Sequence, residues 1–366
     1  MLRAALIGYP SAGKTTLFQL MTSVQEAHRA HGRQDVQVGV ARVPDERLDT
    51  LTALFNPRKR VPATVEFADL AAGGQSDARA LVDLVAFRHA DALLHVIRAF
   101  DEVQSPHPVG SSNPMRDATR MEEELILADL AVVEKRLERL EKDLKKGRTS
   151  ELEQERDVLS RCRETLENGV PLRGLPLAGD DLKRLRGFQF LTAKPLLLVL
   201  NVDESTLTGG GGDASLESVV RRERLGEFTT RSFTRTVPVC AKIELEIAQL
   251  DPADTAAFQS DLGLSESGLD RVIRASYELL GYVSFFTVGE DECRAWSIPR
   301  STPAQIAAAE IHSDIAHGFI RAEVVRYEDL IARGSLAACR DHAELRLEGK
   351  DYLVQDGDVI NFRFAT

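Results

Sequence analysis

One octet constrains this chain more than any other: Gly8-Tyr9-Pro10-Ser11-Ala12-Gly13-Lys14-Thr15, of the form G-x-x-x-x-G-K-[ST]. The apolar run "LRAALI" stops at Gly8, and "TTLFQLM" resumes with helical spacing. Strand, glycine-bounded loop and helix, in that order, let backbone N–H groups surround a phosphate while the helix N-terminus adds partial positive charge. Lys14 would then reach the β- and γ-phosphates, and the Thr15 hydroxyl would ligate Mg²⁺. Tyr9, Pro10, Ser11, Ala12, Gly13, Lys14, Thr15 and Thr16 are therefore the expected nucleotide-binding stretch. A plain glycine turn before a helix is the alternative. The fold this opening demands is α/β, with a mostly parallel sheet carrying the loop at a strand's C-terminal end.

A bound triphosphate needs a second magnesium anchor at the exit of a neighbouring strand. "ATVEFADLA" offers one: Val65 and Phe67 alternate and Asp69 follows at the strand exit, so Thr15 and Asp69 are the expected metal residues. A base-reading element belongs after a later buried strand. "AKPLLLVLNVDE" is such a strand, ending in Asn201-Val202-Asp203-Glu204. Guanine-specific sites place Asn-Lys-x-Asp here, because the final carboxylate accepts the two donors on guanine's edge. This chain has Val202 for the Lys and Glu204 for the Asp. "VPVCAKIE" follows a further strand and puts Cys240-Ala241-Lys242 where a base-cradling loop would lie. Asn201, Val202, Glu204, Cys240 and Ala241 complete the expected nucleotide-binding set.

At 366 residues the chain needs two or three cores. No apolar run reaches membrane-spanning length, and no cleavable leader pattern opens at Met1. Cys162, Cys240, Cys293 and Cys339 lack metal or redox spacing, which suits reduced thiols in a cytoplasm. A formal charge of −11 argues against adhesion to nucleic acid through bulk charge. No membrane and no sequence-specific DNA partner is expected, and a monomer is. Leu130, Val133, Leu137, Leu140 and Leu144 follow 3-4-3-4 spacing, "KKGRTS" breaks the pattern, and Leu152, Leu159 and Leu166 return at sevens. This spacing predicts an antiparallel coiled-coil arm. Its basic tip, Lys142, Lys145, Lys146 and Arg148, is either a contact for RNA or a partner protein, or ordinary solvated charge. Gly209–Gly212 reads as a flexible loop. Beyond Val283, "PAQIAAAEIHSDIAHGF" reads as one alanine-rich helix and "YLVQDGDVINFRF" as strand, Asp-Gly turn, strand.

These elements resemble the Obg-like ATPases of the YchF type. So do "VPDERLD" (Val43–Asp49), "GLDRVIRASYELLG" (Gly268–Gly281), "RAWSIP" (Arg294–Pro299), "IHSDIAHGFIRAEV" (Ile311–Val324) and "EGKDYLVQDGDVINF" (Glu348–Phe362). The resemblance covers nearly the whole chain. It implies a P-loop domain in two pieces, 1–115 and 190–282, an inserted coiled-coil domain at 116–189, and a C-terminal β-grasp module of the TGS type at 283–366. It implies ATP as ligand and substrate, Mg²⁺ as cofactor and GTP as a weaker ligand, because the family's Asn-x-x-Glu base element matches Asn201…Glu204. It implies docking on the large ribosomal subunit or a ribosome-associated protein. It also implies a catalytic histidine in a mobile loop, matched by His107 in "FDEVQSPHPVG". Imidazole near neutral pH can accept a hydrogen bond from water or donate one to a γ-phosphate oxygen. An exposed loop histidine between Pro106 and Pro108 is the plain alternative.

The chain departs from the family at both switches. No Thr stands in "AHGRQDVQVG", where the first switch's Thr would fall near Arg33. Asp69-Leu70-Ala71-Ala72, then Gly73-Gly74, replaces Asp-x-x-Gly, and Gln75 is displaced. Ala72 lacks the freedom that lets a glycine amide swing toward a γ-phosphate. Two functions remain open. One is a slow Mg-ATPase whose nucleotide sets the pose of the arm and the C-terminal module. The other is a nucleotide-stabilised binding module with negligible turnover. A small-molecule P-loop kinase is a third, opposed by the strand-end Asn201 and Cys240 elements.

Overall fold

The computed structural model describes residues 3–22, 28–29, 36–70, 87–101, 107, 110–207 and 211–365. They divide into two units: Met1–Val40 with Glu66–Leu279, and Ala41–Val65 with Leu280–Thr366.

The first unit is built on strands β1 (Arg3–Ile7), β2 (His28–Arg29), β3 (Val36–Arg42), β5 (Thr64–Leu70), β6 (Ala92–Ala99), β7 (Leu196–Val202) and β8 (Thr234–Val239), in the spatial order β2-β3-β5-β1-β6-β7-β8. β2 is antiparallel to β3, whereas β1 runs parallel to β5 and β6, and β7 parallel to β6 and β8. Near-continuous apolar runs such as "LLLVLNV", buried along their whole length, are what a parallel sheet covered on both faces requires. Because these strands run the same way, Gly8, Asp69, Asn201 and Cys240 all fall at their C-terminal edge.

The arm's first helix, Pro114–Lys146, is capped by Asn113, whose side chain accepts from the Arg116 amide, and carries proline at its start. At about 1.5 Å per residue it spans roughly 50 Å. Thr149 caps the second helix, Ser150–Glu167, through the Leu152 amide. Ile126, Val133, Leu137 and Leu140 pack against Val158, Leu159, Cys162 and Leu166 in one apolar seam. Leu130 and Leu152 flank it, partly buried. The basal part of the first helix belongs elsewhere: Ala118, Met121 and Leu125 share a core with Ile7, Leu198 and Leu200. Asp129, 0% exposed, fixes that base by accepting from the amides of Leu191 and Thr192, from the Thr192 hydroxyl and from Arg88. Glu122 is likewise clamped between Arg173 and Arg231.

Gly209 and Gly210 lie outside the described residues, and the described Gly212 is constrained by its neighbours. Gly212 opens the helix Gly212–Arg222 at φ +44°, and a Cβ there would lie 1.8 Å from the Gly263 carbonyl oxygen. Close backbone approach is the reason for glycine at this position.

The second unit holds β4 (Lys59–Val61), β9 (Tyr282–Thr287), β10 (Glu292–Pro299), β11 (Phe319–Arg326), β12 (Arg346–Glu348) and β13 (Asp358–Phe364), in the order β12-β11-β13-β9-β10-β4. The helix Ala304–Ile311 buries Ala304, Ala307 and Ala308 against Phe285, Val324 and Phe362. Residues 41–65, expected in the nucleotide domain, pack here instead. β4 pairs with β10, Cys293 Sγ donates to the Leu51 carbonyl, and Arg47 Nη1 lies 2.8 Å from Asp356. Two local readings also change. The alanine-rich segment is two helices, Ala304–Ile311 and Ser313–His317, because His312 turns extended at φ −163° and its Nδ1 accepts from the Asp314 amide. "YLV" is not a strand: the Ala304 amide at the helix start donates to the Tyr352 carbonyl and the Val354 amide donates to the Thr302 carbonyl, leaving one bridge between Pro303 and Leu353. The Asp356-Gly357 turn is present, with Gly357 at φ +86°.

Candidate functional site

The loop after β1 has the shape its sequence demands. Gly8 turns at φ +140°, and a Cβ there would meet the Val96 carbonyl oxygen at 2.4 Å. Ser11 at φ +60° and Gly13 at φ +95° bring the chain round into the helix Lys14–Thr22. Tyr9 and Ala12 are buried, Thr16 is half-buried, and Pro10, Ser11 and Thr15 face solvent at the loop's lip. The Lys14 ammonium donates to the carbonyls of Gly8 and Tyr9, both at 2.9 Å. Burial lowers its pKa, with Asp69 pulling the other way. A phosphate would replace two neutral carbonyl acceptors with an anionic one, a stronger class of hydrogen bond.

Asp69, 1% exposed, stands opposite Thr15, whose hydroxyl donates to Oδ2 at 2.9 Å. Its Oδ1 is buried without a hydrogen-bond partner. Burial pushes the carboxyl's pKa up, and the Thr15 bond and the Lys14 charge act against that. A buried, unsatisfied acceptor beside a threonine hydroxyl suits a hydrated Mg²⁺, whose bound water would donate to Oδ1. The residues present therefore fit the metal: Thr15 as ligand and Asp69 as the acceptor for its water. When bound, Mg²⁺ would neutralise phosphate charge.

A carboxyl that ionises less readily in the folded state costs stability once pH exceeds its unfolded-state value. This cost is absent below the ordinary carboxylate range and grows as pH rises through the interval to the raised value. Asp69→Asn is therefore expected to stabilise the nucleotide-free protein at pH 7, with the advantage shrinking toward about pH 4. The same variant should weaken Mg²⁺-dependent nucleotide binding by roughly 10–100-fold. Melting curves and titrations with and without Mg²⁺ measure the two effects.

Asn201, at the end of β7 and 4% exposed, is a brace. Its Nδ2 donates to the Ala12 carbonyl and its Oδ1 accepts from the Ala241 amide, both at 3.0 Å. Gly13 must be glycine partly for this reason, since a Cβ would sit 2.4 Å from Asn201 Nδ2. Val202 is packed in the core. Asp203 is occupied in accepting from the Ser205 amide at 2.9 Å, and Glu204 lies 2.5 Å from Lys242 Nζ. Cys240 is buried, its thiol pKa pushed up by burial, and leads into the helix Ala241–Ile247. All four cysteines are buried and free.

His107 lies beside the phosphate loop and is buried, with its ring centroid 5.9 Å from that of Tyr9. Its Nε2 stands 2.9 Å from Asp117 Oδ2, in the first turn of the arm helix. Arg33, Ala71, Ala72, Gly73, Gly74 and Gln75 lie outside the described residues.

Three residues of the site went unassigned in the sequence. Lys242 reads in sequence only as part of a loop. Asp117 gave no signal, because its partner sits across a loop and a helix start. His95 interrupts the apolar strand "ALLHVIRA", which was the available clue. It pairs in register with Ile7 beneath the loop, 1% exposed, with Nε2 lacking a hydrogen-bond partner. Burial, and then the Lys14 charge, push its pKa down to about 3, so it stays neutral.

Residues 282–365 match the family model YchF-GTPase_C, described as "Protein of unknown function (DUF933)". The chain is 40% identical over 369 residues to the "Ribosome-binding ATPase YchF" of Bacillus subtilis (strain 168), spanning 99% of both. The Escherichia coli O157:H7 protein of the same name is 36% identical over 368 residues, again 99% of both. Among solved structures, the Schizosaccharomyces pombe YchF GTPase matches with a TM-score of 0.84 at 26% identity, over 99% of this chain and 97% of that one.

Proposed function

The chain belongs to the YchF family, and from that premise we propose a Mg²⁺-dependent ATP-binding protein that hydrolyses ATP slowly. In this reading it works in the cytoplasm as a monomer, and its bound nucleotide governs docking on the ribosome or on a ribosome-associated protein. One observation carries nucleotide binding. The loop bounded by Gly8 and Gly13 holds Lys14 and Thr15 opposite a buried Asp69 with a free acceptor, and Asn201 braces that loop from β7.

The preference for adenine rests on the carboxylates. A guanine site needs a carboxylate placed to accept from the base's paired donors; here Asp203 Oδ1 accepts from a backbone amide, and Glu204, one carbon longer than the Asp of guanine sites, pairs at the surface with Lys242. A site that leaves those donors unpaired rejects the base that carries them, at roughly 1–3 kcal/mol or more. Freeing a carboxylate should narrow the discrimination. Glu204→Asp combined with Lys242→Ala is expected to cut the ATP-over-GTP affinity ratio by about three- to tenfold, at 1.4 kcal/mol per tenfold. Competition titration reads it, and an unchanged ratio removes the carboxylate from base selection.

The arm is the docking element in this proposal, because Lys142, Lys145, Lys146 and Arg148 are exposed at its tip. The C-terminal sheet with its alanine-lined helix is read as the TGS-type module. A second reading, a nucleotide-stabilised binding module with negligible turnover, is favoured by one observation: His107 is buried against Asp117. Single-turnover assays with Mg-ATP decide between them, a measurable His107-dependent rate supporting the ATPase and none supporting the binding module.

A further inference from the structure

Both ring nitrogens of His107 face groups from the first turn of the arm helix. Nε2 is 2.9 Å from Asp117 Oδ2, and Nδ1 is 3.5 Å from Arg116 Nη2. A guanidinium only donates and a carboxylate only accepts, so these neighbours favour the tautomer protonated on Nε2; the approach to Asp117 is an ion-pair distance without hydrogen-bond geometry, and the hold it offers is electrostatic. The side chains of His107 and Asp117 are 3% and 1% exposed, so water competes little for either. The turn around them is strapped down as well. Arg116 lies 2.9 Å from Asp117 Oδ1 and donates to the Ser111 carbonyl, while Ser112 Oγ donates to the Arg98 carbonyl at the end of β6. Tyr9 of the phosphate loop packs against the imidazole, with ring centroids 5.9 Å apart. The arrangement puts the ring beside the phosphate loop, with both ring nitrogens facing the base of the arm.

We propose that Asp117 is a positioning residue that withholds His107 from the nucleotide, so that the first turn of the arm helix limits turnover. The inference rests on the reading of the protein as a slow ATPase in which His107 touches the reacting phosphate or its water. When a catalytic group is competent in only a fraction of molecules, the observed rate is reduced by that fraction. Weakening the pair raises the fraction, and the rate with it. Whatever displaces the start of the arm helix would do the same, which makes the arm's footing the point where a docked partner acts on hydrolysis.

Asp117→Asn keeps the shape and removes the charge. In the full-length protein it is expected to raise the single-turnover rate with Mg-ATP about three- to tenfold. Affinity for a non-hydrolysable ATP analogue should stay within about twofold, because Asp117 is not among the groups proposed to hold the phosphates. Asp117→Glu, which keeps a carboxylate, should return toward the slow rate, and Asp117→Asn with His107→Ala should fall to the His107→Ala rate. A purely structural Asp117 would give slower turnover and a lower melting temperature together. That result, or an unchanged rate, overturns the proposal.

Imidazole nitrogen NMR supplies a readout that does not depend on hydrolysis. Of the eight histidines, His107 is assigned by its loss in His107→Ala. In the unaltered protein its Nε2–H should be protected and visible, and in Asp117→Asn it should exchange faster and shift. If the unaltered protein binds ATP without turning it over, the ATPase reading falls. The spectra still decide whether Asp117 holds the ring: a moved signal supports the hold, and an unmoved one refutes it. If Asp117→Asn does not fold, an Nε2–H already unprotected in the unaltered protein refutes the hold by itself, and a protected one supports it.

Discussion

Lys14→Ala is expected to reduce triphosphate affinity by a hundredfold or more while leaving the protein folded. The ammonium now bonds two loop carbonyls. With nucleotide bound it would instead make two charge-assisted bonds, each contributing about 1.5–3 kcal/mol. Losing roughly 3–5 kcal/mol corresponds to about two to four decades in Kd. The Gly8 and Tyr9 carbonyls left behind are buried beside an exposed lip, so melting should fall by a few degrees. Isothermal titration alongside a melting curve makes the test. Unchanged affinity in a folded variant would remove the loop from the binding site.

The largest expected effect on stability lies elsewhere, at Gly212. A Cβ there would sit 1.8 Å from the Gly263 carbonyl oxygen and 2.3 Å from its carbon, with φ at +44°. An ordinary side chain pays about 1–2 kcal/mol for that backbone conformation alone, and two backbone segments must also part. Gly212→Ala should therefore cost about 3–4 kcal/mol, or roughly 6–15 °C in melting temperature for a unit of this size. Gly147 is the control: nothing lies within 4 Å of a Cβ placed there. Gly147→Ala should leave the melting temperature within a degree or two. Equal effects at the two positions would show that the close approach of Gly212 to Gly263 has no energetic weight.

What could be read in advance follows the range of the interactions. The phosphate loop, the strand ending at Asn201 and the seam from Val133 to Leu140 are written in spacings of a few residues, so periodicity alone exposes them. Gly8 and Gly13 carry their own reason, since few other residues tolerate those turns. The allegiance of residues 41–65 is of another kind. It is made by β4 beside β10, Leu51 beside Cys293 and Arg47 beside Asp356, partners more than two hundred residues away. No local pattern announces them. The break at His312 shows local polar chemistry overriding an alanine-rich run, with the ring capping the next helix. The site divides the same way. The juxtaposition of Thr15 and Asp69 is legible because Thr15 opens a patterned helix and Asp69 closes a patterned strand. The engagement of Glu204 by Lys242 and of His107 by Asp117 depends on which side chains the finished fold brings face to face.

Titration of the full-length protein with Mg-ATP and Mg-GTP, in competition and at one ionic strength, tests adenine-selective binding at this site most directly. ATP should bind at least tenfold more tightly than GTP, and Lys14→Ala should abolish both. Equal or tighter GTP binding, or no binding of either nucleotide to the folded protein, would contradict it.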